Sequence, residues 1–115
     1  MSRLKKMLEE QEDLQRKYFY RPEALTTEQK VNLSKEYLLS AHSEVDEVLN
    51  EIPWKTHKSY ENFEEHTDVE LLTEEIVDCM KFLMNILVIW HVNDEKLYEV
   101  FMTKSKKVRE KLEKK

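Results

Sequence analysis

Glu44 and Glu47 stand three residues apart, and Glu75 and Asp78 repeat that spacing further along the chain. On a helix, side chains three apart project from neighbouring points of one face. Glu44 lies just beside an apolar stripe formed by Leu38, Ala41, Val45, Val48 and Ile52, and Glu47 lies somewhat further round. Asp46 points roughly the opposite way. Glu75 borders a second stripe, beside Leu72, Ile76 and Cys79. If the two stripes pack together, four carboxylates meet at the edge of the core. Carboxylates held together and half out of water repel unless a cation sits among them. Oxygen-only ligation suits Mg²⁺ or Mn²⁺ rather than zinc, and Mg²⁺ completes its shell with waters and substrate phosphates. Solvated acid pairs of the same spacing also arise by chance among 24 acids, and Glu61/Glu64 is read as one. Di-iron chemistry needs Glu-x-x-His pairs, and none of the four histidines has a glutamate three residues before it.

Four helices are needed to position these groups. The first is expected over about Ser2 to Phe19, with Leu4, Met7, Leu8, Gln11, Leu14, Gln15 and Tyr18 on one face and Arg21–Pro22 ending it. The second opens at Thr26, where Thr26-x-x-Gln29 has the form of a capping box, and closes before Pro53. After a polar, aromatic-bearing connection, Thr67-x-x-Glu70 reads as another capping box. It opens a third helix over about Asp68 to Val92. Asn93 or Asp94 caps a fourth, which carries Leu97, Phe101, Val108 and Leu112 on one face. From Phe82 to Val92 the third helix is apolar almost all round, which favours an oligomer.

Composition narrows the chemistry. The 115 residues contain no glycine, where average usage of ~7% would supply roughly eight. Walker A loops, dinucleotide fingerprints and nucleophile elbows all need glycine geometry, so they are excluded. Two prolines are too few for a many-stranded sandwich or barrel. Cys79 is the single cysteine, so no internal disulfide or cysteine-rich zinc site exists. The net charge of −5 argues against a nucleic-acid partner, and the apolar run Phe82 to Val92 is short of the ~20 residues of a membrane span. No signal peptide is recognisable. The expectation is one all-α domain over residues 1–115, a compact four-helix bundle, cytoplasmic, assembling as a homodimer or homotetramer.

One further polar residue stands out. Gln11 sits inside an apolar stripe, and a buried amide must find partners. Its donor and acceptor match the imide edge of uracil or the amide edge of cytosine as well as they match backbone. Trp54 can stack on a base or pack its loop onto the bundle.

Glu44-x-x-Glu47 followed by Glu74-Glu75-x-x-Asp78 resembles the E-x-x-E…E-E-x-x-D signature of the all-α nucleoside triphosphate pyrophosphohydrolases, which include the MazG proteins, dCTP pyrophosphatases and dimeric dUTPases. Trp54-Lys55-x-x-Lys58 is similar to the W-K-x-W-K segment of dimeric dUTPases, with His57 in place of an aromatic. Gln11-x-x-Leu14-Gln15 is similar to their Q-x-x-L-N, with Gln15 in place of asparagine. Phe82 and the series Tyr98, Lys104, Arg109 match further positions. The resemblance implies Mg²⁺ bound by Glu44, Glu47, Glu75 and Asp78, with Glu47 as the catalytic base toward water. It also implies phosphate contacts from Lys55, Lys58, Lys81, Lys104 and Arg109, and base contacts from Gln11, Gln15 and Trp54. The implied reaction is hydrolysis of a nucleoside triphosphate, dUTP foremost, to the monophosphate and pyrophosphate. Alternatives are the same chemistry on dCTP or a modified nucleotide, and a non-catalytic helical nucleotide-binding or interaction module.

Overall fold

Each helix starts where a side chain takes up an orphan N–H. In the computed structural model, which describes residues 2–55 and 57–114, the Ser2 hydroxyl accepts from the Lys5 N–H at 3.1 Å and opens α1 (Arg3–Tyr18). A single 3₁₀ turn, Pro22–Ala24, follows. Thr26 and Gln29 form the expected reciprocal capping box at the start of α2 (Thr27–Leu49), with bonds of 2.9 and 3.1 Å. The third helix starts one residue later than expected. Asp68 is its N-cap, accepting from the N–H groups of Glu70 and Leu71, and Thr67 instead donates to the Phe63 carbonyl. A carboxylate is at least as good a cap as a hydroxyl and adds favourable charge at the helix N-terminus. Thus α3 runs Val69–Ile89, and Asn93 caps α4 (Asp94–Glu113) through the Lys96 N–H at 2.9 Å.

α3 is the element on which the others assemble. α2 lies along one side of it, while α1 and the Pro22 turn lie along another. Its contacts with α2 define an antiparallel register. Trp90 Nε1–H donates to the Ser34 hydroxyl at 2.8 Å, Phe82 packs on Tyr37 at 6.2 Å between ring centroids, and the Cys79 thiol sits 3.6 Å from the Ala41 carbonyl. Each step up α2 is matched by a step back along α3, and the next step brings Glu44 to Glu75 and Asp78. The apolar core is small: Leu8, Ala41, Met84, Val88 and Ile89, with Gln11, Gln15 and Asn85 buried among them.

The all-α, four-helix architecture is the expected one, but a lone chain does not close into a compact bundle. Its Cα radius of gyration is 17.9 Å, against roughly 13–14 Å for a compact domain of this length. α4 packs on α1 and little else. Of the expected buried stripe on α2, only Ala41 is buried; Leu38, Val45 and Ile52 are exposed. On α4, Phe101, Val108 and Leu112 are exposed and only Leu97 is half-buried. By contrast, the apolar end of α3 is largely enclosed by its own chain, with Ile89 fully buried. Exposed apolar surface therefore lies on α2 and α4 as well as on α3, where Leu71, Ile76, Val77, Met80 and Leu83 remain open. No helix among the described residues is long and apolar enough to cross a membrane.

α3 also ends earlier than expected, because the chain reverses at His91. Its φ of 56° lies in the left-handed region, the Val92 N–H bonds to Leu87 O at 2.9 Å, and the His91 N–H bonds to Val88 O at 3.1 Å. This is a Schellman closure with histidine in the position that glycine usually takes. A residue with a Cβ is strained there by roughly 1 kcal/mol. His91→Gly is therefore expected to raise stability by about 1 kcal/mol, a few degrees in Tm, and His91→Val to lower it. Thermal melts of the two variants check this; a glycine variant that melts below wild type contradicts the account.

Candidate metal centre

The α2–α3 register delivers one carboxylate oxygen each from Glu44, Glu75 and Asp78 to within 4.8 Å of one another. Glu44 and Glu75 are half-buried and Asp78 is exposed. Glu47, one turn beyond Glu44, is outside this trio. Its charge still reaches the site. Burial pushes the Glu75 carboxyl above its ordinary value, reinforced by the negative charges of Asp78, Glu47, Glu44 and Glu51. Glu51 was not singled out from sequence. The signal was present, since Glu44, Glu47 and Glu51 follow a helical three-and-four spacing on one face.

Among the described residues, no cation neutralises this cluster; the ion pairs are those of Arg16 with Glu12 and Glu23. An all-oxygen donor set with surplus negative charge, half open to water, fits a hard divalent cation. Glu75 and Asp78 line, with Thr73, Glu74 and Val77, a shallow depression of about 350 Å³ on α3. Val77 also walls a more apolar groove of about 380 Å³ between α1 and α3, lined by Met7, Gln11, Met80, Lys81 and Met84. Carboxylates and groove are thus neighbours.

Gln11 lies at the polar edge of this groove. Its Nε2–H donates to Asn85 Oδ1 at 2.6 Å, and Lys81 Nζ donates to its Oε1 at 3.1 Å. Gln15 is more deeply enclosed. Its Nε2–H donates to the same Asn85 oxygen at 2.9 Å, and its Oε1 accepts from the Tyr37 hydroxyl at 3.1 Å. Tyr37 is in turn 3.0 Å from the Tyr20 hydroxyl, whose ionisation is suppressed by burial and by that bond. Asn85 is the partner that sequence reading missed. It was visible only as a polar break in an apolar run, and its contacts lie more than sixty residues away.

The other expected residues are dispersed. Trp54, Lys55 and Lys58 share a separate groove of about 620 Å³ with Asn50, Tyr60 and His66, at the end of α2. Lys55 Nζ lies 6.0 Å over the Trp54 ring. Lys81 faces Gln11 rather than the carboxylates, and Lys104 and Arg109 are exposed on α4. Within one chain, α4 packs on α1 and does not bring them to Glu44, Glu75 and Asp78.

The family model described as dUTPase matches residues 3–114. That span covers nearly the whole chain, which belongs to the all-α dimeric dUTPase family, a family of nucleotide pyrophosphohydrolases. No curated protein and no solved structure matches the chain.

The charge cluster makes stability depend on pH and on metal. A carboxyl whose pKa is raised on folding favours the folded state below its unfolded pKa, about 4.3, and loses that contribution as pH rises through the folded value. In chelated protein, the Tm advantage of Glu75→Gln over wild type is therefore expected to grow between about pH 4 and neutrality. Millimolar Mg²⁺ should then raise the wild-type Tm at matched ionic strength and leave the variant behind. A difference independent of pH, with no Mg²⁺ shift, would mark the cluster as a solvated helix face.

Proposed function

We propose that this protein hydrolyses a nucleoside triphosphate, dUTP foremost, to the monophosphate and pyrophosphate, with Mg²⁺ as cofactor and Mn²⁺ as a substitute. The observation that carries the reading is the convergence of Glu44, Glu75 and Asp78 within 4.8 Å on two facing helices. These three carboxylates would hold the cation, with Glu47 and Glu51 adding negative charge beside it. When bound, Mg²⁺ supplies Lewis acidity toward a phosphoryl oxygen and lowers the pKa of water.

The chain's own residues account for the remaining roles. Glu47, near the site but outside the trio, is free to accept the proton of the attacking water. The water oxygen bonds to phosphorus, the phosphoanhydride between the α- and β-phosphates breaks, and pyrophosphate leaves with the electron pair. Glutamates cannot neutralise phosphates, so cations must. Lys55 and Lys58 at the end of α2 are the candidates on this chain, with Trp54 beside them offering a stacking face. Gln11 forms the polar side of the base groove, and Gln15 stands behind it on the same Asn85 oxygen.

Lys104 and Arg109 enter this picture only through assembly. The exposed apolar residues of α2, Val31, Leu38, Leu39 and Val45, and those of α4, Phe101, Met102, Val108 and Leu112, are too many for a stable free surface. A homodimer or homotetramer covering them is the natural state. Sedimentation equilibrium at micromolar concentration should show a dimer or larger. A species of 14.0 kDa would contradict it.

The decisive assay is pyrophosphate release from a panel of deoxy- and ribonucleoside triphosphates, with and without Mg²⁺. Mg²⁺-dependent release, faster from dUTP than from dTTP, is expected, because the groove that Gln11 helps to line is read as one for an unmethylated pyrimidine. Glu47→Gln should lower turnover by about 10²-fold or more and leave the Tm of chelated protein unchanged or higher. No release from any nucleotide would leave a non-catalytic module as the reading.

A further inference from the structure

The side-chain chain from Lys81 to Tyr20 has its polarity set at one end. An ammonium only donates, so Gln11 must turn Oε1 toward Lys81, as it does at 3.1 Å. Gln11 Nε2 then faces Asn85, which must answer with Oδ1. The same oxygen forces Gln15 to present Nε2, leaving its Oε1 for the Tyr37 hydroxyl. Tyr37 has one hydrogen and has given it to Gln15, so Tyr20 donates to Tyr37.

The reverse arrangement is equally satisfied everywhere except at Lys81. Asn85 Nδ2 carries two hydrogens for the two glutamine oxygens. Gln15 Nε2 can then donate to Tyr37, and Tyr37 to Tyr20. Only the meeting of Gln11 Nε2 with the ammonium, donor against donor, forbids it. One cation therefore selects between two orientations of three buried amides.

Gln11 and Lys81 both line the apolar groove beside the carboxylates. We propose that Lys81 is a specificity-determining residue of this groove, acting through Gln11, and that it selects a base whose edge presents an N–H flanked by a carbonyl. The substrate class rests on the nucleotide reading above; the amide polarity rests on the hydrogen bonds alone. In the observed orientation, the second lone pair of Gln11 Oε1 accepts an imide N–H, and a remaining Lys81 N–H donates to the adjacent carbonyl. That is the N3–H and carbonyl of uracil. Cytosine places a lone pair at N3, against the Gln11 oxygen, and its amine against the ammonium. In the inverted orientation the groove would show an amide N–H and favour cytosine.

Two measurements test this. In wild type, ¹⁵N–¹³C couplings across the hydrogen bonds should link the Nε2 of Gln11 and Gln15 to Asn85 Cγ. In Lys81→Met they should be lost or replaced by couplings from Asn85 Nδ2 to the glutamine Cδ atoms. In parallel, the dUTP-to-dCTP ratio of kcat/KM should fall about tenfold or more in Lys81→Met, one hydrogen bond's worth of discrimination. Lys81→Arg, which also only donates, should hold both the ratio and the wild-type couplings, whereas a residue that merely packs would gain nothing from arginine. A ratio unmoved in Lys81→Met, or wild-type couplings already running from Asn85 to the glutamines, overturns the proposal. Hydrolysis of neither nucleotide by wild type overturns the nucleotide reading instead, and with it the base selection; the couplings still decide the amide polarity.

Discussion

The antiparallel pairing of α2 with α3 holds together charges that repel. The whole carboxylate cluster depends on that pairing surviving the repulsion. Glu44, Glu75 and Asp78 meet within 4.8 Å because contacts below them fix the register, and those contacts are few and specific. Ala41 is small enough to let the helices approach until the Cys79 thiol reaches its carbonyl. Tyr37 against Phe82 fills the next level, and Trp90 anchors the far end on Ser34. Moving α2 by one residue along α3 would turn Glu44 by about 100° and dissolve the site. The cost of crowding these carboxylates is met by packing one and two turns away.

Much of this was legible in the residues, and what was not has physical causes. Three-residue spacing beside an apolar stripe identified Glu44, Glu75 and Asp78, because helical periodicity determines which side chains share a face. The same spacing placed Glu47 with them, yet the structure sets it just outside. Spacing fixes a face but not the height at which a partner helix crosses it. The Thr67 cap failed by one residue, since Asp68 competes for the same N–H groups and sequence pattern ranks the two alike.

Apolar stripes carried a different ambiguity. A row of leucines and valines states that something must cover a helix face, not which chain supplies the cover. On α3 the cover comes from α1, α2 and the Pro22 turn; on α2 and α4 a lone chain supplies little. Buried area can be completed by a second copy as well as by further helices of the same chain. A short chain with 37% charged residues and few core positions has reason to do so.

The three buried amides belong to the same economy of space. Gln11, Gln15 and Asn85 occupy core positions that leucine or methionine would fill at lower desolvation cost, and amides are tolerated there only while their bonds are made. Their oxygens and donors are matched from Lys81 at the groove to Tyr20 just before the Pro22 turn, and no fully enclosed side-chain N or O atom among the described residues lacks a partner. Packing alone does not ask for this, since an apolar trio would join α1 to α3 with less to go wrong. An amide offers a directed choice of donor or acceptor at a groove wall. A small core that gives three of its positions to amides has placed hydrogen-bond direction above packing, and it has done so beside the groove that adjoins the carboxylates.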